Sequence, residues 1–98
     1  MIKVSIITIS FNSSRTISRT LESVRNQDYK NIEHIIIDGN SNDETVNICK
    51  KFDHISKLVS EDDDGVYDAF NKGLRIASGG IVGFLNSDDT FAEKKSLS

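Results

Sequence analysis

Four apolar runs are spaced along the chain, and three segments of helical periodicity lie between them. Ile2 to Ile9 is apolar and β-branched apart from Lys3, Ser5 and Thr8, which predicts a first, central strand. Ser10 to Ser14 is a turn rich in helix-capping residues, after which Ile17, Leu21 and Val24 recur at helical spacing to about Asn26. Gln27 to Asn31 reads as a loop, and Ile32 to Ile37 as a second strand ending at Asp38-Gly39-Asn40. Ser41 and Glu44 have the S-x-x-E spacing of a capping box. It predicts a helix to about Phe52, with Val46, Cys49 and Phe52 turned to the core. Ile55 to Ser60 is a shorter strand, followed by the acidic loop Glu61 to Gly65. Val66, Phe70, Leu74 and Ala77 mark a third helix, with Tyr67 and Phe70 read as packing residues. Gly79-Gly80 stands where a left-handed helix cap is wanted. Ile81 to Leu85 is a fourth strand, continuous enough to be buried on both faces, and Ala92 begins a further helical segment.

The order β-α-β-α-β-α-β predicts a Rossmann-like α/β fold, a three-layer sandwich around a mostly parallel sheet. At 98 residues the chain accommodates one domain. Hydrophobic content of 37% and charged content of 28% suit a globular protein, and a net charge of −3 gives nucleic-acid binding no global support. No apolar run approaches the roughly 20 residues of a membrane span. The start lacks a signal-peptide layout, and the one cysteine, Cys49, has no internal disulfide partner. These features lead to the expectation of a cytoplasmic protein, at most peripheral at the inner face of the membrane.

Ligands in open α/β sheets sit beyond the carboxyl ends of the strands. Asp38 and the pair Asp88-Asp89 fall there. Asp38 has two readings: an acceptor for a ribose hydroxyl or base N–H, or the cap of the turn before Gly39. The first βα turn has no glycine, so the G-x-G-x-x-G fingerprint is absent, and there is no P-loop. A hard cation held by Asp88 and Asp89, Mg²⁺ or Mn²⁺, could take the place of a glycine cradle on a polyphosphate. The competing reading is that Asp88 or Asp89 N-caps the segment after it. In the acidic loop, Asp64 and Gly65 lie nearest the helix start. His34 and His54 lack metal-ligand spacing and read as surface or packing residues. The serines lack a nucleophile elbow, and Cys49 reads as core.

The stretches 4–12, 36–45 (D-G-x-S-x-D-x-T type), 64–73 with 77–80, and Asn86-Ser87-Asp88-Asp89 resemble, in order and spacing, the donor half of family 2 glycosyltransferases with the GT-A fold. The resemblance implies inverting, metal-dependent transfer of a sugar from a nucleotide-sugar, most often UDP-linked, to a glycan or lipid-linked acceptor of a cell-surface polysaccharide. It implies that Ser10, Phe11 and Asn12 line the base pocket, that Asp38 reads the base, and that Asp64 lies near the nucleoside. Asp88 would contact ribose or metal, and Asp89 would be the main ligand of Mn²⁺ or Mg²⁺. Asn86 stands where many members carry an aspartate, which shifts the metal role onto Asp88 and Asp89. The family's catalytic base and acceptor-binding half would lie beyond Ser98, so residues 1–98 are expected to bind donor. Two other classes compete: a nucleotidyltransferase, and a non-enzymatic module that dimerises through the exposed face of an incomplete domain.

Overall fold

A computed structural model describes residues 2–27, 29 and 31–87. The strands are β1 (Val4–Ser10), β2 (Ile32–Asp38), β3 (Ile55–Ser60) and β4 (Ile81–Asn86), and the helices between them are α1 (Ile17–Arg25), α2 (Thr45–Cys49) and α3 (Val66–Ile76). All pairings are parallel, in the order β3-β2-β1-β4, so β1 is central as the sequence predicts. Period-two alternation divides the core between the two faces of the sheet. Ile7, Ile35 and Ile37 pack with Ala69 of α3 on one face. On the other, Val4 and Ile6 meet Val24 of α1, while Ile36 meets Ile17, Leu21 and Cys49. The three-layer α/β expectation is met.

Four local expectations are corrected. The capping box does not form. The Ser41 hydroxyl donates to Asp38, and the Glu44 carboxylate accepts from the Asn47 side chain. Asp43 instead accepts the Thr45 N–H, and α2 spans only Thr45–Cys49. Ile48 joins Cys49 and Phe52 against the core; Val46 is not in that cluster.

The buried stripe of α3 is also rotated. Val66, Tyr67 and Leu74 are exposed, Tyr67 at 84%, and the buried positions are Ala69 and Gly73. A Cβ on Gly73 would stand 2.6 Å from Ile7 Cγ2, so the helix approaches the sheet through its smallest residues and its larger ones turn outward. Phe70 does pack, edge-on against Phe84 with centroids 4.3 Å apart.

Gly79-Gly80 is not a left-handed cap. Neither glycine has positive φ, and α3 closes on an extended Ala77. Gly79 is required by proximity, since a Cβ there would lie 2.6 Å from Ser5 Oγ and 2.8 Å from the Lys3 carbonyl. Finally, β4 is not buried on both faces. It lies at the sheet edge among the described residues, with Ile81 and Phe84 about half exposed and Leu85 buried.

Candidate functional site

At the carboxyl ends of the strands, the ends of β1, β2 and β3 converge on Asp38. Its Oδ1 accepts from Ser10 Oγ (2.7 Å) and Ser41 Oγ (2.6 Å). Its Oδ2 accepts from the Ser41 N–H and from Ser60 Oγ, both at 2.8 Å. Burial alone would raise its pKa. The hydrogen bonds from Ser41, Ser10 and Ser60 outweigh that and hold the carboxyl below its usual range. The Asp38 side chain is fully buried (0% exposed). It ties the ends of β1, β2 and β3 together, the turn-capping reading of the sequence extended to three loops. A direct bond from Asp38 to a base or ribose would require one of these hydroxyls to leave.

Asn12 and Asn40 adopt positive φ (48° and 67°), a region asparagine tolerates better than most residues. From that turn the Asn12 N–H donates to Ser41 Oγ, and Asn12 Oδ1 accepts the Asn42 N–H, both at 2.8 Å. Ser10 and Asn12 are therefore brought to the site as loop ties, while Phe11 presents an exposed ring beside them (60%). Asp64 lies in the β3–α3 loop, its N–H donated to the Asp68 carboxylate at 3.0 Å.

Asp88 and Asp89 lie outside the described residues, but the residue before them is closely held. The Ser87 carbonyl accepts from Thr16 Oγ1 and Thr20 Oγ1, both at 2.9 Å. Ser87 Oγ meets Ser13 Oγ at 2.6 Å, and the Ser87 N–H donates to the Ile9 carbonyl at 3.2 Å. Thr16 is the N-cap of α1 and Thr20 lies one helical turn further on, so one side of the helix start holds the residue before the carboxylate pair. Beside it opens a cavity of about 660 Å³ lined by Ile9, Asn12, Arg15, Asp43, Asn86 and Ser87, among others. Hydrogen bonds from Thr45, opposed by desolvation and joined by those from Ser14, hold the Asp43 carboxyl at about 2, so it is ionised at neutral pH.

Among the described residues, no three His, Cys, Asp or Glu side chains are grouped to hold a metal. Asn86 lies in the cavity wall, and the sequence continues after Ser87 with two aspartates. Such a set suits Mg²⁺ or Mn²⁺ better than a softer ion.

The sequence reading missed the hydroxyl contacts on Ser87 and the placement of Arg15 and Asp43 in the cavity wall. A signal did exist for Thr20, a polar residue inside the apolar stripe of α1. His34 is fully buried, bonded to Thr8 Oγ1 at 2.8 Å and His54 at 2.9 Å. Burial, and then the neighbouring His54, lower its pKa to about 3, so it stays neutral as a packing residue. Burial, and then the Asp38 charge, raise the Cys49 thiol to about 11, which fits the core reading.

This strand order, with the site at the carboxyl ends, is the architecture of the GT-A glycosyltransferases. A solved structure of Staphylococcus aureus TarS in complex with UDP-GlcNAc matches with a TM-score of 0.83 at 30% identity, over 90% of this chain and 27% of that one. Mannosyltransferase PcManGT from Pyrobaculum calidifontis, in complex with GDP-Man and Mn²⁺, matches with a TM-score of 0.86 at 26% identity, over 95% of this chain and 29% of that one. In sequence, the Escherichia coli UDP-Glc:alpha-D-GlcNAc-diphosphoundecaprenol beta-1,3-glucosyltransferase WfaP is 40% identical over 94% of this chain and 38% of its own length. The model of glycosyl transferase family 2 matches residues 5–97, and the chain belongs to that family. It spans between 13% and 38% of the length of the curated relatives it matches.

Proposed function

We propose that this chain is the donor-binding part of an inverting, metal-dependent glycosyltransferase. It would use a UDP-sugar and serve a glycan or lipid-linked acceptor in cell-surface polysaccharide synthesis. The acceptor-binding half and the catalytic base would belong to the larger remainder of a relative-sized protein. The observation that carries this reading is the tying of the ends of β1, β2 and β3 at Asp38, beside a cavity at whose wall Ser87 is anchored immediately before Asp88-Asp89. The UDP-Glc of WfaP and the UDP-GlcNAc complex of TarS support the donor class. The Mn²⁺ in the PcManGT complex supports the metal.

In this reading the base lies against Phe11 and the diphosphate crosses the cavity past Arg15. Asp64 lies near the nucleoside. Asp38, Ser10 and Asn12 act by fixing the turns around the nucleotide, and Asp88 and Asp89 hold the cation. Bound Mn²⁺ or Mg²⁺ would supply charge neutralisation for the departing diphosphate. The chain's own part is to bind and orient the donor. Calorimetry tests this: folded protein with Mn²⁺ should bind UDP in the micromolar to millimolar range, and Asp89→Ala should remove the metal-dependent component. Folded protein giving no heat with UDP and Mn²⁺ would sink the proposal.

A second reading, self-association, is favoured by the exposure of Tyr67, Ile81 and Phe84 along the α3–β4 flank. Sedimentation that stays monomeric across a hundredfold concentration range would dismiss it.

A further inference from the structure

Resting on the donor-binding reading, we infer that Thr16 and Thr20 are positioning residues for the cation: their two hydroxyls fix the peptide group that joins Ser87 to the Asp88-Asp89 pair. Thr20 stands inside the apolar stripe of α1, between Ile17 and Leu21, and is 0% exposed. A larger apolar residue would serve the core better there, and threonine is among the weaker helix formers. A buried threonine in a helix commonly returns its hydroxyl to the carbonyl one turn back. The Thr20 hydroxyl crosses to the Ser87 carbonyl at 2.9 Å. Thr16 is the N-cap of α1, where a threonine hydroxyl ordinarily accepts an N–H of the first turn. It makes no side-chain cap bond. Its hydroxyl lies 3.5 Å from the Ser13 carbonyl and 2.9 Å from that of Ser87, so the shorter bond goes to Ser87. Two threonines of one helix thus forgo what they would do for the helix and converge on a single carbonyl outside it.

A carbonyl oxygen has two lone pairs, and at Ser87 both are taken. The peptide unit is planar, so holding this C=O fixes the plane of the bond that leads on to residue 88. The other polar groups of Ser87 are engaged as well, the N–H on the Ile9 carbonyl and Oγ on Ser13 Oγ. Apolar packing cannot do this work. Along β4 only Leu85 is buried, and Asn86 after it is exposed. Where packing ends, hydrogen bonds from β1, the first turn and α1 take over. Groups that orient a metal ligand from behind typically contribute about 10- to 100-fold in metal affinity.

The test is calorimetric titration of the full chain with UDP, in Mn²⁺ and in EDTA, beside urea unfolding of the same proteins. Thr20→Val puts a methyl in place of the hydroxyl within an apolar stripe and leaves Thr16 on the carbonyl. It should lose about tenfold in Mn²⁺-dependent UDP affinity. Its UDP affinity in EDTA should match the wild type, and its urea midpoint should be no lower. Thr16→Val should show the same split at a half-buried position, which keeps the inference testable if Thr20→Val does not fold. Thr20→Ser, which keeps the hydroxyl, should restore the Mn²⁺-dependent affinity. A purely structural role would lower the urea midpoint and the UDP affinity with and without metal together. That parallel loss, or an unchanged Mn²⁺-dependent affinity in both valine variants, overturns the inference and leaves nucleotide binding standing, as does a wild-type UDP affinity that Mn²⁺ does not alter. Folded wild-type protein that binds no UDP in Mn²⁺ overturns the donor-binding reading, and this one with it.

Discussion

Strand β2 carries a buried carboxylate near each of its ends, and the two are built alike but finished differently. Glu33 near the start and Asp38 at the end each lie in register with a β1 serine, Ser5 and Ser10, whose hydroxyl donates to them. Both are pulled below their usual pKa. Glu33 also accepts from the N–H and hydroxyl of Ser78, and a cation, Lys57 Nζ, stands 3.2 Å away. Asp38 has hydroxyls and a single N–H, and no cation pairs with it among the described residues. One end of the strand is neutralised and closed. The other keeps its negative charge beneath the turns where the proposed ligand arrives. The same serine–carboxylate pair therefore serves as a bolt at one end and as the frame of a site at the other.

The comparison breaks most sharply at Asp38. Asp38→Asn places an N–H₂ among four donors, and urea unfolding should show a loss of about 3 kcal/mol. UDP binding should fall with it, because the turns of β1, β2 and β3 lose their common anchor. Retention of both would mean that Asp38 does not hold the site.

Glu33→Gln should cost less, about 1–2 kcal/mol, and leave nucleotide affinity unchanged. Its pH signature gives a sharper check. Burial works to raise the Glu33 pKa, but the bonds from Ser78, Ser5 and Lys57 hold it at about 2, against 4.5 for a glutamate in the unfolded chain. A carboxyl depressed on folding stabilises the protein above its unfolded pKa. That contribution is lost as pH falls from about 4.5 through about 2. The wild type should therefore lose stability across this window, and Glu33→Gln should flatten that slope. Equal slopes in the two proteins would refute the assignment. The smallest effect belongs to Lys57→Met, about 0.5 kcal/mol by thermal unfolding, because the lysine side chain is 40% exposed and water already screens its charge.

How much of this was legible beforehand follows physical lines. The strands were readable because Val4 to Ile9, Ile32 to Ile37 and Ile81 to Leu85 are apolar runs, although the last is half exposed at the sheet edge among the described residues. The contact face of α3 was not, since Ala69 and Gly73 carry little hydrophobic signal and it was Val66 and Leu74 that looked like core. The position of Asp38 at a strand end was plain. Its partners were not, because Ser10, Ser41 and Ser60 gather around it only after three separate strands are set in register.

The strand order also governs how the chain is assembled. β1 leaves the ribosome before β2, β3 and β4, yet it lies inside the sheet, and one of its two neighbours is β4, which begins at Ile81. Among the described residues no strand pairs with another through a hairpin, so each of these pairings waits for a crossover helix to be made. Until Ile81–Asn86 is synthesised, Val4–Ser10 has one open ladder edge on an apolar strand, the kind of edge on which nascent chains aggregate. Synthesis must nearly reach the carboxylate tip before the first strand is enclosed on both sides.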